Sequence, residues 1–437
     1  MRYADQVSEI MNAFSPVPLE AEQMEQFYCA DTMEYRMNDK YCSPIEDIYD
    51  ICTEQKGTCA MLLLGHKGCG KSTELNRMSI RLKEAGYQVS TIVCSTDLDL
   101  FNLVYSDLFI LMGEELLRIA QTCGCQIDQE LLRSIDIFWR QASEITVCQE
   151  TAAASAEVGM DANTPGLMEK MLKLFVKLKA DLKYNEETRK EYRKIIGVRS
   201  SEWISLLRRI ADSIAEKSEG RRPIIILEDL DKLNPEDAWK VFYHYAAILS
   251  GMPFPVIYTF PIGLSYDPRF SALEGYFIAK TLPMIKIETI EGNKYADGIG
   301  VIREVVEKRA SLALFEQGVL EQLISYTGGS LRDLFHAINA SAKRAVRRKS
   351  DSISMEDASR ALEEIKTSLT RRIEQKDYEF LLNIYRGNKE LIQDKEVLLK
   401  MLQASVVLEY NGKRWHNVHP LVAQFLKDQG LIGDEGE

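Results

Sequence analysis

The sequence contains no apolar run approaching the ~18 residues of a membrane-spanning helix. Its opening, MRYADQVSEIMNAF, places acids where a secretion signal carries its apolar stretch, so no secretory leader is expected. Cysteine is sparse: nine residues in 437, all between Cys29 and Cys148. An odd count spread this way does not make a disulfide framework, so reduced thiols in a cytoplasm are expected. Cys123-Gly-Cys125 is the only close pair, and no second pair stands nearby to complete a zinc site. Positive charge is also in deficit. Against 66 Asp+Glu there are 54 Lys+Arg, a formal net charge of −12. That excludes a globally basic nucleic-acid coat and a general attraction to anionic membranes, but not a local basic patch.

What is present is the mix of a globular protein, 46% hydrophobic and 27% charged. The length suits roughly three domains. Residues 1–57 read as a helical lead-in with turns at Ser15-Pro16-Val17-Pro18 and Cys42-Ser43-Pro44. The run 58–64 is continuously apolar and of strand length, as in the middle of a parallel sheet. A helix is expected over about 72–85, stopped by Gly86, and a strand over 87–94. This is a βαβ unit.

Residues 100–220 read as mostly helical. They are interrupted by ETAAASAEVGMDANTPG at 150–166, small polar residues expected to form a mobile loop. The five lysines of 167–183 fit a helix packed on its own domain with a solvated face better than a membrane-surface helix. Further strands are expected at 223–227, 256–260 and 284–287. After Asn293 the strands stop. Ser354-Met355-Glu356-Asp357 opens a helix over 355–368. Near the end, 405–410 and 413–418 flank Asn411-Gly412, a strong hairpin signal.

The chemistry concentrates in two places. Gly65-His66-Lys67-Gly68-Cys69-Gly70-Lys71-Ser72, followed by Thr73, fits G-x-x-x-x-G-K-[ST] between a buried strand and a helix. Glycines let the backbone curl so that its N–H groups converge on phosphate oxygens, and the following helix adds its positive end. Lys71 supplies a charge to the β- and γ-phosphates, and Ser72 a hydroxyl to Mg²⁺. The second place is Glu228-Asp229-Leu230-Asp231, at the carboxyl end of the 223–227 strand. Glu228 is assigned to the metal side and Asp229 to the attacking water. The order is reversed from the commoner Asp-Glu pair, so these two roles could be exchanged.

Together GHKGCGKS, the IIILEDLD run at 224–231 and Thr327-Gly328-Gly329-Ser330-Leu331-Arg332-Asp333 resemble the AAA+/STAND group of P-loop ATPases. The likeness is to the side that includes the archaeal and eukaryotic origin-recognition initiators. It covers roughly 45–110 and 220–437, not the 120–200 insert. It implies an α/β fold: a P-loop NTPase parallel sheet sandwiched by helices, then an all-α lid and a winged-helix domain. The expected boundaries are 1–290, with the insert at about 100–220, then 291–369 and 370–437. By position in the resemblance, Arg332 is the lid arginine that senses the γ-phosphate. Thr259 is the polar sensor at the end of the 256–260 strand, and Arg269 is an arginine finger acting in trans. A trans finger implies a homo-oligomer.

The winged helix raises the question of DNA. Residues 370–437 hold 10 Lys+Arg and 11 Asp+Glu, and the would-be base-reading helix 394–403 is mostly apolar. Lys413 and Arg414 are the wing's only cations. His416 and His419 suit structural roles better than a metal pair. A basic cluster at Lys343-Arg344 and Arg347-Arg348-Lys349 ends a lid helix, where cations favour the helix terminus. DNA is therefore possible but not favoured by charge, and a protein partner through the insert or winged helix is preferred. The leading expectation is an ATP-binding and ATP-hydrolysing switch that uses Mg²⁺, slow or partner-stimulated, whose nucleotide state controls self-association or partner binding. The alternatives are a DNA-handling initiator or transposition-type ATPase, and a nucleotide-binding module without turnover. Adenine is the default base, since no Asn-Lys-x-Asp guanine motif is present.

Overall fold

The computed structural model describes residues 1–30, 32–37, 43–54, 58–144, 166–387, 389–390, 394–410 and 415–432. The 150–165 part of the expected loop, Cys42, the Asn411-Gly412 turn and the wing cations Lys413 and Arg414 lie outside these residues.

The apolar runs form five parallel strands: β1 Ala60–Gly65, β2 Val89–Val93, β3 Ile224–Glu228, β4 Val256–Pro261 and β5 Ile278–Leu282. Their order across the sheet is β2-β3-β4-β1-β5. β1, β3 and β4 are buried at every residue, which is why they carry no polar alternation. The edge strands β2 and β5 are partly exposed. The fifth strand is a correction. It is 278–282, whose Lys280 and Thr281 hide the apolar signal, whereas 284–287 carries no strand and passes buried under the C-terminal hairpin.

Helices of eight residues or more are numbered in chain order. α1 Pro44–Glu54 and α2 Lys71–Glu84 flank the sheet. The insert supplies α3 Tyr105–Thr122, α4 Gln129–Glu144, α5 Leu167–Tyr184 and α6 Glu186–Lys217. These pack together around Phe138, Trp139, Phe175 and Trp203, and their apolar cluster is continuous with one face of the sheet. The insert therefore packs beside the core, as its amphipathic spacing requires. After β5 come four helices: α7 Ala296–Glu307, α8 Val319–Tyr326, α9 Leu331–Arg347 and α10 Met355–Thr370. Ser354 caps α10 as read from the sequence. The N-terminal residues Val7, Ile10 and Phe14 pack in this second apolar cluster, not on the sheet.

The chain closes with α11 Tyr378–Tyr385, α12 Lys395–Gln403, the antiparallel pair β6 Val407–Tyr410 and β7 Trp415–Val418, and α13 Pro420–Asp428. Helix, helix, hairpin, helix is the order expected of a winged helix. α12 packs against residues 262–266, where a Cβ on Gly263 would meet the Leu399 backbone at 2.9 Å. No helix among the described residues is long and apolar enough to cross a membrane.

Gly113 tests the insert core. It lies within α3, and a Cβ there would stand 2.5 Å from the buried ring of Trp203. Gly113→Ala should destabilise the protein by about 1–3 kcal/mol despite alanine's better helix propensity. Denaturant unfolding followed by Trp fluorescence measures this; an unchanged midpoint would show the packing to be looser than described.

Candidate functional site

The sheet order places β4 between β1 and β3, so the loop after β1 and the acidic run after β3 open on one edge with Thr259 between them. The loop turns on Gly68 and Gly70, whose φ values of 88° and 103° disfavour a side chain. α2 starts immediately behind, at Lys71.

Lys71 is 7% exposed. Its Nζ donates to the carbonyls of Gly65 at 2.8 Å and His66 at 3.0 Å, and pairs with Asp231 Oδ2 at 2.9 Å. Burial opposes the charge on Lys71, but Asp231 outweighs it and holds the ammonium's pKa above its ordinary range. Asp231 feels the same pair in reverse. Burial pushes its pKa up, and Lys71 brings it below the usual carboxylate range.

The acidic run splits three ways. Glu228 is buried and accepts a hydrogen bond from Ser72; burial raises its pKa against that bond. The two metal-side candidates thus stand together, and a hydroxyl with a carboxylate is the oxygen donor set that fits Mg²⁺. Asp229 takes a left-handed backbone, φ 71°. Its carboxylate accepts from the Ser95 hydroxyl and pairs with Lys232 Nζ at 2.6 Å. Asp231 returns to Lys71. Sequence reading missed Asp231, although its place two residues beyond Asp229 in an acidic turn was a usable signal.

Thr259 is buried and its hydroxyl is occupied. It accepts from Leu230 N at 3.0 Å and reaches the Leu227 carbonyl at 3.4 Å. Arg332 lies in the first turn of α9 and against the loop, so close that a Cβ on Gly68 would meet its Cβ at 2.5 Å. Among the described residues Arg332 has no hydrogen bond or ion pair, and its neighbour Asp333 faces His419, with Nε2 at 3.8 Å. Arg269 is not at this site. It pairs with Asp267 at 2.5 Å, stacks 4.5 Å over Trp239 and is 51% exposed. Of the remaining loop residues, Lys67, Gly68, Gly70, Ser72 and Thr73 line the cleft. The side chains of His66 and Cys69 are buried beneath it.

The cleft has a second end that the sequence did not disclose. Pro16, Val17, Pro18, Leu19, Phe27, Val305 and Phe335 line it. The strap 16–19 is tied down by Leu19 N donating to Thr73 Oγ1 and by Asn76 donating to the Leu19 carbonyl. Arg36, buried and also missed, donates to the carbonyls of Cys69 at 2.6 Å and Pro283 at 2.5 Å, bracing the loop from behind. Arg309 donates to the carbonyls of Phe27 and Val305, and burial brings its pKa down to about 10.

No protein-family model matches the chain, and no curated protein sequence does. Solved structures are similar to it over nearly its whole length. The Aeropyrum pernix ORC2 protein in its ADP form is 12% identical, covering 99% of this chain and 100% of that one, with a TM-score of 0.40. Cdc6p from Pyrobaculum aerophilum is 13% identical, with coverages of 97% and 99% and a TM-score of 0.37. The Aeropyrum pernix ORC1 protein in complex with DNA is 11% identical, with coverages of 88% and 92% and a TM-score of 0.35.

Two outcomes follow from the site. Removing one partner of a buried ion pair strands the other, so Asp231→Ala should cost about 3–5 kcal/mol of unfolding free energy by urea titration. A loss below about 1 kcal/mol would mean that the loop carbonyls alone satisfy Lys71. The second concerns acid. Burial and the nearby Lys71 bring the His66 pKa down to about 3, from an ordinary 6.5. Below pH 6.5 the unfolded chain takes up a proton that folded His66 refuses. Stability should therefore fall as pH drops from 6.5 towards 3, by on the order of 1 kcal/mol per pH unit from this group. His66→Gln should remove that part of the slope. Superimposable pH–stability curves for the two proteins would contradict it.

Proposed function

We propose that the chain binds Mg-ATP in this cleft and acts as a nucleotide-controlled switch with slow, partner-stimulated hydrolysis. The carrying observation is convergence. Lys71 and the uncommitted Arg332 meet at a glycine loop whose backbone can cradle phosphates, and the same cleft continues into an apolar end that suits a base. Ser72 and Glu228 would hold the metal, which supplies charge neutralisation on the phosphates. Arg332 would read the third phosphate, and the left-handed turn at Asp229 sets a carboxylate beside the cleft to orient water.

A second reading, nucleotide binding without turnover, is favoured by a specific observation. The groups that hydrolysis needs are engaged elsewhere: Asp229 with Ser95 and Lys232, Thr259 with backbone, Arg269 with Asp267. Turnover then requires that a partner or a second copy free them. A DNA-handling role stays a proposal of lower rank. The helix placed to read bases, α12, packs on the ATPase core, with Gln403 donating to the Leu233 carbonyl.

The test is calorimetric titration with Mg-ATP beside phosphate release. Lys71→Ala should lose binding by 100-fold or more, roughly 3 kcal/mol for charge-assisted bonds to phosphate. Asp229→Ala should keep binding and lose any release. Absence of heat with the native protein would overturn the proposal; tight binding with no release in any protein would select the second reading.

A further inference from the structure

His66 belongs to the phosphate loop, yet its ring is buried beneath the loop and does not line the cleft. Its Nε2 accepts the backbone N–H of Glu409, on β6, at 2.8 Å. Its own carbonyl accepts from Lys71 Nζ. One residue thus touches the phosphate-binding lysine on one side and the C-terminal hairpin on the other.

That contact is part of a larger seat. Met284 N donates to the Glu409 carbonyl, and Tyr410 OH donates to the Gly328 carbonyl at 2.7 Å, four residues before Arg332. Leu408, Tyr410 and Trp415 lie in one apolar cluster with Met61 and Leu63 of β1 and Cys69 of the loop. The hairpin is the floor on which the phosphate loop rests. A glycine-rich loop holds its N–H groups in a converging geometry only if something outside it fixes the turn. Swinging the hairpin away would expose three large apolar side chains, so communication through this seat works by tightening and loosening, not by wholesale release.

We propose that hairpin docking and triphosphate binding are coupled through His66. The docked hairpin preorganises the loop, and a bound triphosphate clamps the hairpin in return, since such coupling is reciprocal. His66 is a positioning residue here and touches no phosphate. The proposal rests on the reading of the cleft as an ATP site.

The experiment uses the full chain, a non-hydrolysable Mg-ATP analogue, calorimetry for affinity and amide exchange across 407–410 for docking. His66→Phe keeps bulk and removes the acceptor. His66→Gln returns an amide oxygen near the place of Nε2. Tyr410→Phe loosens the hairpin from the lid side, away from the loop. In the native protein the analogue should slow exchange of 407–410 by about tenfold. His66→Phe should weaken binding by about 5–20-fold and abolish most of that slowing. His66→Gln should restore both, which a space-filling role for the ring would not do. Tyr410→Phe should weaken binding in the same direction, and it decides the matter if His66→Phe fails to fold. Native affinity in His66→Phe and Tyr410→Phe, with hairpin exchange indifferent to nucleotide, overturns the coupling and leaves the ATP reading intact. No heat with the native protein removes the ATP reading and the coupling with it.

Discussion

A buried ammonium cannot be left short of acceptors, and the site is organised around satisfying the one on Lys71. It has three N–H donors and finds three acceptors: the carbonyls of Gly65 and His66 and the carboxylate of Asp231. Two of these belong to its own loop, so the loop is curled partly by the cation it presents. The third comes from the far side of β4 and ties the acidic turn to the loop. Reaching it requires that the chain reverse sharply after β3. The left-handed backbone at Asp229 does this, at a cost of about 1–3 kcal/mol that aspartate bears better than most residues. The strained turn also separates the acids: Glu228 towards Ser72, Asp229 towards Ser95 and Lys232, Asp231 towards Lys71.

The same logic explains why an imidazole stands inside a phosphate loop. A charged ring beneath Lys71 would repel it. Burial and Lys71 together keep His66 neutral, which leaves Nε2 free to accept from Glu409. His416 and His419 are likewise structural. His416 contacts Tyr266 OH and the Lys389 carbonyl, and His419 accepts from Leu421 N at the start of α13. Their spacing carried no metal signal, and the structure uses them to seat the C-terminal unit.

What the sequence disclosed was what local pattern encodes. β1, β3 and β4 were legible because central parallel strands, buried on both faces, read as nearly continuous apolar runs, and the phosphate loop because its glycines and lysine fall within one short segment. β5 was not legible, since an edge strand need not be apolar throughout. The apolar end of the cleft was hidden for another reason. Its walls come from residues 16–19, 27, 305 and 335, which only the fold brings together, and a proline-rich turn reads as a loop whether or not it covers a ligand. Arg36 and Asp231 were missed because charged residues are expected at the surface. For Asp231 the acidic turn was a usable signal, but nothing local marks Arg36 as buried to satisfy carbonyls.

The division of labour within the cleft follows from which polar groups are already satisfied. Arg332 faces the loop without a partner among the described residues, so an incoming phosphate gains its charge without breaking anything. Lys71 has partners, but two of them are neutral carbonyls, and a phosphate is the stronger acceptor. Asp229 and Thr259 are different. To act on water each must first give up a bond, Asp229 to Ser95 or Lys232 and Thr259 to the Leu230 amide. On the proposed reading, binding is therefore the easier step in the isolated chain and turnover the harder one. Such a protein would hold its nucleotide until a contact elsewhere, reaching the β3 turn or Arg269, shifted the balance, as a switch requires.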